Sequence, residues 1–517
     1  MRRSSALGFI SSILILAGVA AHSPPPGEDR AARSVIVQGR DLATVVDAVT
    51  AVGATITHEL GIIDAVAARL TAEELGRLEA RHRHLTIYGD RQVVLAEADG
   101  GDPVPYSSYP ELVGAAALHD QGIDGHGVTV AVLDTGVWQS NHNIKNNALG
   151  RRRLLVRHNA NDEETTAIDL NGHGTHVTSV ILSSALSSGE VPRYNGIAPN
   201  ADLIAVKAFD ENGHSTYADV ISGLDWIVDH KDAYGIRVLN LSFSAPAASY
   251  YWRDPLNQAV MAAWQAGIVV LASAGNTGPD PLTVGVPGNV PYVITVGAMS
   301  DAGTPADPTD DYLADFSAAG PTLDAFVKPE IVAPGGHMLG LMSDSHQIAM
   351  EHPEHFVGSD HFTMSGTSQA VAVVSGVVAL ILQQEPWLTP DDVKCRLLES
   401  ARPAVDADDE LFYSPFQQGA GRVDAAAAVA SSAAGCGNRG LDVGADLSDG
   451  EHYMGPARWD EATETFYIEN LGHPWDGTYR SGTITLWSTA DPWIDADPWI
   501  DADLGHPIAI NIWVELE

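Results

Sequence analysis

Apolar and polar positions along this chain change their rhythm twice. Between residues 34 and 95 short runs alternate in period: Ser34-Val35-Ile36-Val37 reads as a strand, Leu42 to Val52 as a helix, Ile62 to Ala67 as a strand, Thr71 to Ala80 as a helix and Gln92 to Leu95 as a last strand. Thr71 followed three residues later by Glu74 is a capping box and marks where the second helix starts. These elements predict a small α+β unit over 34–95. A linker with the turn signals Asp99-Gly100-Gly101-Asp102-Pro103 occupies 96–109.

From Gly127 to about Cys436 nearly continuous apolar runs alternate with longer helical ones. The strands are Val128 to Leu133, Leu203 to Val206, Val238 to Leu241, Ile268 to Leu271 and Val293 to Val296, with helices such as Tyr217 to His230 and Pro255 to Ala266 between them. Strands with no polar face, separated by helices, predict an α/β domain over 110–436 whose mainly parallel sheet is covered on both sides. In such a sheet, function gathers beyond the carboxyl ends of the strands. The apolar run Val371 to Leu382 is too short to span a bilayer and is expected to be a buried helix. Past Gly437 the pattern predicts strands at Thr463 to Asn470, Ser481 to Ser488 and Ile508 to Leu516, a β-rich region over 437–517. Within it Asp491 to Ala496 is repeated at once as Asp497 to Ala502, a local duplication too short for a solenoid.

Composition narrows the setting. Of 517 residues, 67 are acidic and 28 are Lys or Arg, a formal charge of −39 that excludes a phosphate-binding surface and hence a nucleic-acid partner. Met1-Arg2-Arg3, the apolar stretch Ala6 to Ala21 and the following His22-Ser23-Pro24 have the order of a secretory signal peptide over 1–21, so a secreted or extracellular protein without stable membrane insertion is expected. Cys395 and Cys436 are compatible with one disulfide in an oxidising space or with two unpaired buried thiols.

Four short segments carry candidate chemistry. Asp134 closes the first apolar strand in Val132-Leu133-Asp134-Thr135-Gly136, where a carboxylate can orient an imidazole. His173 stands in Asn171-Gly172-His173-Gly174-Thr175-His176, with small neighbours that leave room for substrate; no Glu completes a zinc helix with His176. Asn276 follows an apolar strand in Ala272-Ser273-Ala274-Gly275-Asn276, an amide able to donate to an oxyanion. Ser368, in Ser365-Gly366-Thr367-Ser368-Gln369, opens an apolar helix whose positive end favours developing negative charge. Each alone is an ordinary turn or cap.

In the order Asp, His, Asn, Ser, each in its glycine-bearing context, these segments resemble the subtilisin family over roughly Tyr106 to Ser432. Gly196 to Ala201, Lys328 to Gly335 and Gly419 to Asp424 extend the resemblance. It implies a secreted serine endopeptidase in which Ser368 attacks the scissile carbonyl, His173 moves the proton, Asp134 orients His173, and Asn276 holds the oxyanion. It further implies that Ser242-Phe243-Ser244 and the stretch Ala272 to Gly275, including Ala274 and Gly275, pair with extended protein or peptide substrates. Residues 34–95 resemble the inhibitor-like propeptide of this family, made as part of a zymogen, acting as folding aid and intramolecular inhibitor, and cut off within 96–109. The chemistry needs no cofactor; structural calcium is a family-level expectation without nameable ligands.

Three departures bear on specificity. Ser244 replaces a usual Gly, Gln369-Ala370-Val371-Ala372 replaces a usual Met-Ala-x-Pro, and the His- and Met-rich stretch His337 to His361 reads as an insertion, either a flap over the cleft or a plain surface loop. They keep open a narrow-specificity processing protease, and beyond that a binding protein that has kept the scaffold without turnover.

Overall fold

The computed structural model describes residues 32–90, 92–95, 106–161, 166–188, 192–305, 307, 309–406, 410–469 and 484–486. The signal-peptide segment, the duplicated Asp-Pro-Trp repeat and the strand expected at 508–516 lie outside them.

The N-terminal unit contains β1 (Arg33–Gln38), α1 (Leu42–Ala51), β2 (Thr55–Leu60), β3 (Ala65–Leu70), α2 (Ala72–Arg81) and β4 (Thr86–Gly89), with β2-β3-β1-β4 forming one antiparallel sheet. Asp41 caps α1 through Thr44 N–H, and the Thr71–Glu74 capping box forms at α2. The single strand expected at 62–67 is instead a hairpin of β2 and β3 around the short turn Gly61–Ile63, with Asp64 in the left-handed region at φ 51°. β2 escapes the pattern because Thr55, Thr57, His58 and Glu59 leave it few apolar positions. Alternation sorts the sheet into two faces. Val35, Val37, Val66, Ala68 and Leu70 pack with Val45, Val49 and Leu78 into the unit's own core, whereas Ile36, Leu60, Ala65 and Ala67 join the main core of the chain.

The main sheet is built from β6 (Thr129–Asp134), β7 (Leu154–Asn159), β8 (Asp202–Lys207), β10 (Ile236–Leu241), β12 (Val269–Ser273), β13 (Ile294–Ser300), β14 (Tyr312–Leu313) and β15 (Ile331–Pro334). Its order is β14-β13-β12-β10-β6-β8-β7, with β15 also on β13. Every pairing is parallel except β13 with β14. All six residues of β6 are buried, as a strand covered on both faces requires. α3 (His173–Leu182) and α6 (Thr367–Gln384) pack on each other and on this sheet, and so do α4 (Tyr217–Tyr234) and α5 (Pro255–Gln265). α6 is long and apolar enough to cross a membrane by composition, but residues 367–382 are all buried in the protein core. After β6 the chain moves outward to β7 and β8, then crosses to β10 on the other side. That reversal opens a crevice at the carboxyl end of β6, where Asp134 sits.

The expected insertion is neither an open flap nor a plain loop. β16 (Met338–Leu341), β17 (Phe356–Val357) and β18 (His361–Met364) form an antiparallel sheet in the order β16-β18-β17, and Met342, Ile348, Ala349, Phe362 and Met364 make a small core beneath it. Cys395 on α7 (Pro390–Glu399) is disulfide-bonded to Cys436. Beyond residue 437 the described residues hold a helical turn Val443–Leu447, the pair Tyr453–Met454 with Thr485–Leu486, and the hairpin Ala457–Asp460 with Thr465–Ile468. Of the strands expected there, only Thr465–Ile468 and Thr485–Leu486 fall within described residues.

Candidate active site

Asp134 is the last residue of β6 and fully buried, with Oδ1 accepting from its neighbour's Thr135 N–H at 2.7 Å. His173 is the first residue of α3, its N–H held by Asn171 Oδ1 at 3.0 Å. The imidazole Nδ1 lies 2.8 Å from Asp134 Oδ1 and 3.0 Å from Oδ2, so the carboxylate grips that nitrogen with both oxygens. The grip makes Nδ1 the protonated position and leaves Nε2 basic. Gly174 permits this approach, since a Cβ there would come within 2.4 Å of Gly136 O and 3.0 Å of Asp134 Oδ1. Behind it Asp169 accepts from Gly172 N–H, Thr175 N–H and Thr175 Oγ1 at 2.8, 2.9 and 2.5 Å. Burial pushes its pKa up, but His346 and these donors outweigh that and hold it below the ordinary carboxylate value.

Ser368 lies in the first turn of α6, which packs along α3. Its Oγ donates to Ser242 O at 3.0 Å, while Ser242 Oγ donates to Ser368 O at 3.2 Å, a reciprocal link between helix and edge segment. Asn276 is oriented by the same turn. Its Oδ1 accepts from Thr367 N–H at 3.0 Å and Thr367 Oγ1 at 2.8 Å, which fixes the amide the other way round: Nδ2 must face away from the helix. That Nδ2 is buried and has no hydrogen-bond partner among the described residues. A buried donor left unpaired costs about 1–3 kcal/mol, so a group built this way points to an acceptor that arrives later.

The cleft has two backbone edges, β11 (Phe243–Ser244) and β9 (His214–Thr216), and β5 (Gln92–Leu95) lies between them as the central antiparallel strand. Phe243 pairs with Leu95 and Ser244 with Val94, while Gln92 and Val93 pair with Thr216 and Ser215. β9 carries no apolar run and was not visible as an edge in the sequence. Ala274 and Gly275 do not act as a third edge. Their N–H groups are committed to Val296 O at 3.0 Å and Thr367 Oγ1 at 3.3 Å, and Ala272 is paired inside the sheet. They form a wall instead. Ser244 Oγ stands 3.0 Å from where a Cβ on Gly275 would lie and 2.1 Å from one on Gly285, and so occupies the space beside both glycines.

His176, three residues after His173, is a core histidine. Its Nε2 is 3.1 Å from both Met338 O and Phe362 O, which clamps the insertion to α3, and burial pushes its pKa down to about 3. The neutral Nδ1 lies 3.4 Å from Gln369 Nε2, beside Ser368. The insertion also reaches the residues before His173: Gln347 and Ile348 N–H donate to Leu170 O and Asn171 O at 2.9 and 3.1 Å.

The sequence model of the subtilase family matches residues 125–437, well over half of the chain. The chain belongs to the subtilase family. Serine protease AprX of Bacillus subtilis is 40% identical over 310 residues, 59% of this chain and 66% of its own length. Subtilisin DY of Bacillus licheniformis is 30% identical over 312 residues, 60% of this chain and 94% of its own. Among solved structures, fervidolysin from Fervidobacterium pennivorans, described as a keratinolytic enzyme related to subtilisin, superposes with a TM-score of 0.60 at 22% identity over 79% of this chain and 62% of its own. This subtilase thus spans about two thirds of the length of AprX and of the fervidolysin chain. All the segments quoted above for Asp134, His173, Asn276 and Ser368 fall inside the matched range, as does the insertion.

Proposed function

We propose that this subtilase is a secreted serine endopeptidase that works through Ser368, His173 and Asp134 by an acyl-enzyme route. Asp134 holds His173 with Nδ1 protonated; Nε2 takes the proton from Ser368 Oγ as that oxygen attacks the peptide carbonyl, and returns it to the leaving amine. The oxyanion is received by Asn276 Nδ2 and by the backbone at the start of α6. Water then repeats the sequence in reverse to release the acyl group. The observation that carries this reading is the buried Asn276 Nδ2, aimed by Thr367 and without a partner among the described residues, in the company of the Asp134–His173 pair.

Residues 34–95 are proposed to be an autoinhibitory propeptide. Support comes from β5, which fills the place of an extended substrate between β9 and β11, and from the sheet face that packs on α4 and α5. Asp90 Oδ1 accepts from Ala218 N–H at 2.9 Å in the first turn of α4, and Gln38 Nε2 lies 2.6 Å from Gln258 Oε1 on α5. β5 ends at Leu95, opposite Phe243, the residue after Ser242, whose carbonyl receives Ser368 Oγ. Self-processing is therefore expected beyond Leu95, within 96–109. Expression of the Ser368→Ala chain in a protease-free host should give protein that retains 34–95, and N-terminal sequencing of the active enzyme should find its start beyond Leu95, within or directly after 96–109. Maturation of the Ser368→Ala chain on its own would refute self-processing.

Ser244 favours the narrower of the two protease readings. With its Oγ beside Gly275 and Gly285, the pocket for the side chain preceding the scissile bond has less room than one lined by Gly at that position. Small residues such as Ala are the proposed preference there.

A further inference from the structure

The insertion contains a second cluster of chemically capable side chains. His352, Glu354 and His355 lie on the turn that joins the short helix Gln347–Glu351 to β17. His355 N–H donates to His352 O at 3.2 Å and closes a 3₁₀ turn that begins with Pro353. In that geometry side chains three residues apart eclipse one another, and the two imidazoles accordingly share one side, with ring centroids 6.2 Å apart. Glu354 reaches between them: its Oε1 is 3.6 Å from His352 Nδ1 and 3.6 Å from His355 Nε2. All three ligand atoms lie within 4.8 Å of one another.

Those separations match a small ion. Zinc bonds to nitrogen and oxygen are about 2.0–2.2 Å long, so tetrahedral ligands sit about 3.4 Å apart, and shifts of a few tenths of an ångström would bring these three atoms onto one centre. Two imidazoles and one carboxylate suit a borderline divalent ion, whereas calcium takes oxygen ligands. Two half-exposed His–Glu ion pairs offer little stability by themselves. The turn nevertheless holds them in place: Pro353 fixes its first residue, and the His355 ring packs edge-on to Phe362, 5.9 Å between centroids, over the insertion's core.

We propose that His352, Glu354 and His355 bind one divalent ion of the zinc class, with a remaining position open to solvent. Because the same insertion is hydrogen-bonded to Leu170 and Asn171, just before His173, the ion fastens a segment that abuts the His173 loop. It takes no part in peptide hydrolysis.

The test is calorimetric titration of Zn²⁺ into the untagged, chelator-stripped full chain carrying Ser368→Ala to prevent self-digestion, with Co²⁺ as a spectroscopic substitute. One ion per chain, a visible Co²⁺ spectrum of low-symmetry type and a raised thermal midpoint are expected. Loss of supporting contacts alone weakens metal sites by about 10–100-fold, so removing two ligands in His352→Ala/His355→Ala should weaken binding by more than about 100-fold. Glu354→Gln, which preserves shape, should weaken it and alter the Co²⁺ spectrum even if the double variant folds poorly. His82→Ala/His84→Ala, which removes another close pair with ring centroids 5.9 Å apart, should leave binding unchanged. No binding to the parent chain, or an affinity and spectrum unaltered by Glu354→Gln, would overturn the proposal.

Discussion

Asn276 shows how one side chain can be aimed by its neighbours. Thr367 takes its oxygen twice and so turns Nδ2 outward, at the expense of a buried donor with no partner among the described residues. Asn276→Ala is expected to lower kcat by about 10²–10³-fold with little change in KM, the scale found for the like donor in a subtilisin; steady-state kinetics on a peptide substrate would check it. A Thr367→Val change should produce part of that loss, since it removes one of the two hydrogen bonds that orient the amide. Ser244→Gly acts on selection instead. It should raise kcat/KM for substrates with a large residue before the scissile bond at least about 10-fold relative to Ala, the discrimination that a difference of one or two heavy atoms in a pocket typically gives, as a matched pair of peptides would reveal. Asp134, His173, Asn276 and Ser368 were legible because each sits at a strand end or helix start flanked by glycines. Thr367 and Gly285 were not, since orientation of a neighbour and proximity to Ser244 leave no local pattern.

At the scale of elements, the long buried ones were readable and the short edges were not. β6, β8, β10, β12 and β13 are apolar on both faces, and α4 and α5 hold to a helical period; their positions follow the chain pattern to within a few residues. β7 and β9 lack that pattern because they are short or partly polar, and β15 is only four residues long and closes with a proline. The insertion was misjudged for another reason: its histidines and methionines suggest a loop, yet Met338, Met342, Phe362 and Met364 supply a core, and His176 anchors it from α3. A buried charge network illustrates what holds elements together. Glu330 Oε1 accepts from Lys328 Nζ and Lys394 Nζ, both at 2.6 Å, and Oε2 accepts from Thr295 N–H at 2.8 Å, so β13, the approach to β15 and α7 share one carboxylate. Burial pulls Lys328 down to about 7 despite that partner. Glu330→Leu leaves two buried ammonium groups uncompensated and is expected to cost about 3–5 kcal/mol, measurable by urea unfolding in the Ser368→Ala background.

Across the whole molecule, the region after the disulfide is sewn to the main domain by Asp446. Tyr251 Oη and Tyr292 Oη donate to its Oδ2 at 2.5 and 2.9 Å, and His452 Nδ1 lies 2.7 Å from its Oδ1 with Nε2 at 3.0 Å from Asp449. Burial pushes the His452 pKa down, but the hydrogen bonds and charges of Asp446 and Asp449 outweigh it, and the net shift is upward. A raised folded-state pKa means that this contribution is complete below the unfolded imidazole value of about 6.5 and fades as pH rises through the folded value. The thermal midpoint of the Ser368→Ala chain should accordingly fall on passing upward through that range by more than that of the same chain with His452→Gln; parallel slopes would remove His452 from the account. The excess of acidic residues said nothing of this contact, because it depends on residues about 200 positions apart, such as Tyr251 and Tyr453.

Whether Ser368 is the activated nucleophile of a working protease can be tested in one experiment on the mature enzyme. Treatment with a fluorophosphonate probe, followed by peptide mapping, should place a single label on Ser368 and abolish casein hydrolysis in proportion to labelling, with both effects absent from His173→Ala. An enzyme that hydrolyses casein without label at Ser368, or a folded mature chain that takes no label, would contradict the account.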